Sequence, residues 1–349
     1  MGSLKHRVNQ VLLFKRKMMG KVVFIVLMTA LISFSFAQEK IQLNELNSPS
    51  TIVVSDDYIA IEDGATVKLY NADNFTFIQT IGNEGQGPGE FQIFATPQIL
   101  EEVFLISSSN KIAFFNFAGD LIKEKRHTFF ASPLKAIEDK FVGFVWNFPE
   151  DYIAYILYGS DFEPIKELHR GKPLIHPNRR RDLFEIFFYD TYDENIVIAH
   201  RDGSGISVFD SKGNMSHLIK PRFNRRPFTK DDKLKLLQYW KEERGYNQAQ
   251  IESLEKRTDF PDFYPPFNTC RIADGLIYII TYESVGDKVA CLIYDINGMF
   301  HKRISLPIHM SAPNNVLPFT IKNNKMYQIS FNNEQNHWEL IVSEIENEG

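Results

Sequence analysis

Residues 103–123 read VFLISSSNKIAFFNFAGDLIK. Val103-Phe104-Leu105-Ile106 is a short apolar run, and Ser107 to Asn110 form a polar turn. Ile112-Ala113-Phe114-Phe115 is a second run, and Ala118-Gly119-Asp120 turns the chain into Leu121-Ile122-Lys123. Short β-prone runs bounded by Ser, Asn, Asp and Gly are the pattern of consecutive hairpins. The same parts recur on both sides. Before it stand Tyr58 to Ile61, Glu62-Asp63-Gly64, Val67 to Tyr70 and the turn Asn71 to Asn74. After it stand Tyr152 to Tyr158, then Ile206 to Phe209 with the turn Ser211 to Asn214. Val289 to Tyr294 and Trp338 to Ser343 follow.

Tyr70, Phe115, Tyr158, Phe209, Tyr294 and Ser343 mark equivalent places, at spacings of 45, 43, 51, 85 and 49. The longest spacing is one repeat plus an insertion of about 40 residues. Six units of this length, each a small antiparallel sheet, predict an all-β fold: a six-bladed β-propeller of four-stranded antiparallel blades. A pair of β-sandwiches does not explain the even spacing. Ring closure also hides the strand edges of so many hairpins. It needs one strand from the other terminus, and Ile41-Gln42-Leu43 is placed to complete the sixth blade.

The insertion reads as a helical hairpin at 229–258, between blades four and five. Thr229 to Asp232 is a capping box with Asp in the Glu position. Leu234, Leu237 and Trp240 are expected on one face, and Gly245 ends the helix. Asn247 caps a second helix running through Arg257.

Residues 1–37 carry Lys5, Arg7, Lys15, Arg16, Lys17 and Lys21 and no acid. An apolar run from Val22 to Phe36 and the small-x-small site Ser35-Phe36-Ala37 follow. These are the parts of a signal peptide, so 38–349 is expected as the single exported domain, in the periplasm, at the outer surface or secreted. Met18 or Met19 would give a more usual signal peptide than Met1. Without the six cations the net charge falls from −5 to −11, which argues against nucleic-acid binding. No membrane span is expected after cleavage.

Residues 81–124 contain IGNEGQGPGEF, then Pro97 and the strand from Val103. This resembles an NHL-type repeat, matched at Gly82, Gly85, Gly87, Gly89, Phe91 and Pro97. The whole of 41–346 resembles the exported six-bladed β-propeller proteins of Bacteroidetes-like bacteria, whose blades are degenerate. Phe263-Tyr264-Pro265-Pro266-Phe267 resembles the approach to their fifth blade. The resemblance implies the propeller and carries no uniform activity.

The Gly82, Gly85, Gly87, Pro88, Gly89 and Phe91 loop is expected to be a structural connector, because a strand follows it. A phosphate cradle needs a helix N-terminus there. Connections from outer to next inner strand share one propeller face with the loops between second and third strands. That face gathers Glu84, Gln86, Arg179, Arg180, Arg181, Arg201, Arg222, Arg225, Arg226 and Tyr264 as a candidate binding face. Arg forks suit carboxylate or phosphate groups. The partner expected is a protein, an anionic glycan or a small anionic molecule.

No zincin, nucleophile-elbow, EF-hand or Walker motif occurs, so no catalytic residue, metal or cofactor is assigned. The expected function is a non-catalytic binding or scaffold propeller. The alternative is a propeller lyase or hydrolase acting on a sugar, lactone or peptide, with or without a metal. His127, His176 and His200 would have to face the channel for that. Cys270 and Cys291 fall on the first and third strands of one blade, too far apart for a disulfide.

Overall fold

The computed structural model describes residues 38–127, 133–147, 150, 152–171, 181–184, 188–200, 202–312 and 315–345. Six four-stranded antiparallel sheets follow one another along the chain. Their inner strands are Pro49–Val54, Thr96–Ile99, Lys135–Ile137, Phe188–Tyr192, Thr269–Ala273 and Phe319–Lys322. Glu39–Leu43 is the outermost strand of the sixth sheet, beside His337–Glu344, so the two ends of the propeller chain close the ring. The chain is a six-bladed β-propeller.

The marker aromatics have a structural cause. In blades one to five the pairing of third and fourth strands shifts at Tyr70, Phe115, Tyr158, Phe209 and Tyr294. Each is a β-bulge, which bends a strand and increases its twist. The next residue is Asn or Asp in four of the five. The side chains of Asn71, Asn116, Asp210 and Asp295 accept backbone N–H bonds from the turn that follows. Gly119, Gly213 and Gly298 then take positive φ of 88°, 77° and 85°, which only Gly adopts without strain.

The core lies between blades. Second-strand residues such as Ile59, Ile106, Ile198, Ile279 and Ile329 are fully buried, as expected for strands covered on both faces. Cys270 and Cys291 are free and buried on the first and third strands of blade five.

Two helices form the insertion, α1 (Lys230–Glu242) and α2 (Gln248–Arg257). Both capping boxes are made, Thr229 with Asp232 and Asn247 with Gln250. The buried face of α1 differs from the expected one. Leu234 is 63% exposed and Leu236 is fully buried, so the inward face runs Asp232, Leu236, Tyr239, Trp240. Asp232 accepts an ion pair from Arg226 at 3.0 Å, and this anchor fixes which side of α1 meets the ring. No helix among the described residues is long and apolar enough to cross a membrane.

Candidate functional site

All six inner strands line a central cavity of about 210 Å³. Its wall is mostly hydroxyl and apolar side chains, with three charged groups: Lys135, Asp190 and Arg271. Lys135 Nζ lies 3.5 Å from Asp190 Oδ1. Arg271 stacks on Phe319 at 4.3 Å. Its Nε donates to the Phe319 carbonyl, and its Nη1 to Thr269 Oγ1 and the Cys270 carbonyl. Burial pulls the guanidinium down to about 10, still cationic at neutral pH. Gln98 bonds Ala136 and Thr191, tying the inner strands of blades two, three and four together.

Ser50 and Pro318 also line a second cavity of about 650 Å³, a vestibule on the face carrying the insertion. The C-terminal end of α1 walls one side with Tyr239, Glu243 and Arg244. Blade six walls the other with Phe331 and Trp338. These two rings meet edge to face at 5.0 Å. Tyr239 joins the insertion to the loop before blade six: its hydroxyl accepts from Arg244 Nε at 2.8 Å and from Asn315 Nδ2 at 3.1 Å. Gln328, fully buried, holds the neighbouring loop through both the N–H and the carbonyl of His309. Partial burial, then Lys40, lowers His309 below the ordinary imidazole range. Aromatic faces, amide and hydroxyl groups, the Arg244 guanidinium and the Glu243 carboxylate are thus presented around a space large enough for a sugar-sized ligand.

The expected binding residues fall in several places. Arg226 donates to the Tyr282 carbonyl and to Asp232 and stacks on Tyr264 at 4.6 Å. Tyr264 is buried among Phe184, Phe228 and Tyr282. Both therefore anchor the insertion and line a cavity of about 380 Å³ beneath α1. Burial, then Asp232, raises the Tyr264 hydroxyl. Arg225 stacks on Phe263 at 4.2 Å and Arg222 is exposed. Arg181 belongs to the strand Arg181–Asp182, which pairs in parallel with Thr258–Asp259. Glu84 and Gln86 sit on the connection from blade one to two, three connections from Arg222 and Arg226. Arg179, Arg180, Arg201 and His176 lie outside the described residues.

The glycine loop is tied down by blade two. Lys111 Nζ donates to the Gly87 carbonyl at 2.8 Å and to Glu124 at 3.0 Å. Glu124 also accepts from Gly89 N, and Arg126 donates to the Gln86 carbonyl. Gly82 has φ +77°, and a Cβ there would stand 2.6 Å from the Phe91 ring. Lys135, Asp190, Arg271, Arg244 and Trp338 were not foreseen as site residues. The available signal was a charge inside the apolar runs Pro133 to Ile137, Phe188 to Tyr192 and Cys270 to Ala273.

His127 is buried against Phe162, and His200 stacks on His169 between blades three and four, with centroids 4.1 Å apart and planes 8° apart. The two nitrogens of His200 are bonded to Ser204 and Ser207. Ser207 is 3% exposed, out of a substrate's reach as a nucleophile. No group of three His, Cys, Asp or Glu able to hold a metal occurs among the described residues. Burial first, then the neighbouring His200, lowers His169 to about 4, and burial lowers His200. The unfolded chain takes up the His169 proton near pH 6.5 and the folded chain only nearer pH 4, and His200 shifts in the same direction. Stability is therefore expected to be full above pH 6.5 and to fall as the pH drops toward 4. The His169 share is on the order of 2 kcal/mol. Urea titrations at pH 7 and 4.5 should show a smaller loss in His169→Asn than in the unaltered chain.

A family model described as a 6-bladed beta-propeller, DUF5128, matches residues 35–161. None of the curated proteins matches the chain. Among solved structures, a DUF4221 family member from Bacteroides vulgatus is similar at a TM-score of 0.53 with 10% identity. The match covers 89% of this chain and 96% of that one. A luciferin-regenerating enzyme is similar at a TM-score of 0.45 and 10% identity, over 88% and 95% of the two chains. An uncharacterized protein of Listeria monocytogenes matches at 0.40 and 8%, over 88% and 82%. These likenesses concern the fold.

Proposed function

We propose that this protein is an exported, non-catalytic propeller of the degenerate NHL-repeat-like kind. It binds an anionic glycan or a small anionic molecule on the face carrying the helical insertion. One observation carries the reading: the vestibule between α1 and blade six. There Arg244, Tyr239 and Asn315 face Phe331 and Trp338 across a space of about 650 Å³. Aromatic faces pack on sugar rings, and a guanidinium pairs with carboxylate or phosphate oxygens. The resemblance to exported propellers and the leader-like residues 1–37 support export.

A thermal-shift comparison of acidic and uncharged oligosaccharides tests this. The acidic sugars are expected to stabilise the protein, and Arg244→Ala is expected to remove the shift with little change in the unliganded melting temperature. Arg244 is exposed, so its loss costs the fold little. Equal shifts for charged and uncharged sugars, or an undiminished shift in Arg244→Ala, would count against the reading.

A further inference from the structure

The central cavity holds two cations and one carboxylate among its described lining residues. Lys135 and Asp190 face each other, with side chains 16% and 30% exposed. Arg271 uses Nε and Nη1 on neutral acceptors, and its Nη2 edge has no acceptor among the described residues. Glu62 does not line the cavity and its carboxylate accepts from Thr96 Oγ1 at 2.9 Å. Asp190 also acts electrostatically on Arg271, so among the described lining residues two cations share one carboxylate in a confined space. A cation in such surroundings is costly unless an anion joins it. Ser50 and Pro318 line both this space and the vestibule, so the two lie side by side.

We propose that the central cavity is an oxyanion subsite, in which Lys135 and Arg271 receive the carboxylate or phosphate of a ligand whose remainder lies in the vestibule. This rests on the vestibule reading and deepens it. Asp190 has the opposite role. It occupies Lys135 while the site is empty and repels an incoming anion, so it limits affinity and gives Lys135 a partner in between.

Calorimetric titration of the full chain with glucuronate, glucose 6-phosphate and glucose tests the proposal. Saturable binding of glucuronate assigns a carboxylate to the site, and binding of the phosphate ester assigns a phosphoryl group; glucose should bind far more weakly than either. Lys135→Met should weaken the charged probe on the order of tenfold, and Asp190→Asn should tighten it several-fold. A fold defect cannot imitate the gain in Asp190→Asn, and Arg271 is left intact because it bridges two blades. Absence of saturable binding by either charged probe, or equal binding of all three, would overturn the subsite. So would affinities unchanged in both variants. Binding that is lost in Arg244→Ala yet indifferent to Lys135 and Asp190 would overturn this subsite alone and leave the vestibule in place.

Discussion

Leu43→Asp should abolish cooperative folding at 37 °C or come close to it. Leu43 is 1% exposed and packs with Ile52, Ile59, Tyr70, Ile329 and Leu340 at the junction of blades six and one. It stands on the single strand by which the N-terminal part of the domain completes the last blade. A carboxylate there would be buried in this apolar cluster, and the leucine packing is lost as well. The two effects together are expected to cost about 5 kcal/mol, comparable with the whole stability of many domains. Chemical denaturation is the check. Leu43→Met keeps the volume and should lose less than about 1.5 kcal/mol. A small, equal loss in both variants would mean that the ring does not depend on this strand.

The second large effect is expected at Lys111. Its side chain is 4% exposed, and the ammonium is spent on Glu124 and the Gly87 carbonyl. Lys111→Met keeps an unbranched apolar stem but strips both acceptors of their cation and removes the ammonium from over the Phe91 ring, 5.5 Å from its centroid. Glu124 would retain Gly89 N and the more distant Arg126 at 3.5 Å. Breaking a buried pair from one side costs about 3–4 kcal/mol. The double variant Lys111→Met with Glu124→Leu should recover much of the loss, because no unpaired charge remains. Near-additive losses in the cycle would show that packing, not the pair, carries the effect. The glycine loop should also become more open to proteolysis in the single variant, since Lys111 and Glu124 pin both Gly87 and Gly89.

The fold was legible because its repeat is written in local chemistry. A bulge-forming aromatic followed by Asn or Asp and then a positive-φ glycine ends the third strand of several blades. All of these act within a few residues of one another. The same locality made Thr229 and Asn247 readable as helix caps. The rotation of α1 was not local: the Arg226–Asp232 pair and the Tyr264 cluster turned Leu236 inward and left Leu234 in water. The site was less legible for the same reason. Lys135, Asp190 and Arg271 come from three blades and meet only when the ring closes. Sequence clustering drew attention instead to the arginines near the insertion. Of those, Arg226 is committed to holding it in place, and Arg225 lies against Phe263.

The measurement that bears most directly on the central claim is one calorimetric titration of the protein with an acidic oligosaccharide, followed well past saturation. A saturable heat that returns to baseline is expected, with affinity reduced about tenfold in Arg244→Ala. A steady heat that persists after saturation would mean turnover, and an affinity untouched by Arg244→Ala would place the ligand elsewhere. Either result would contradict a non-catalytic binding site in the vestibule.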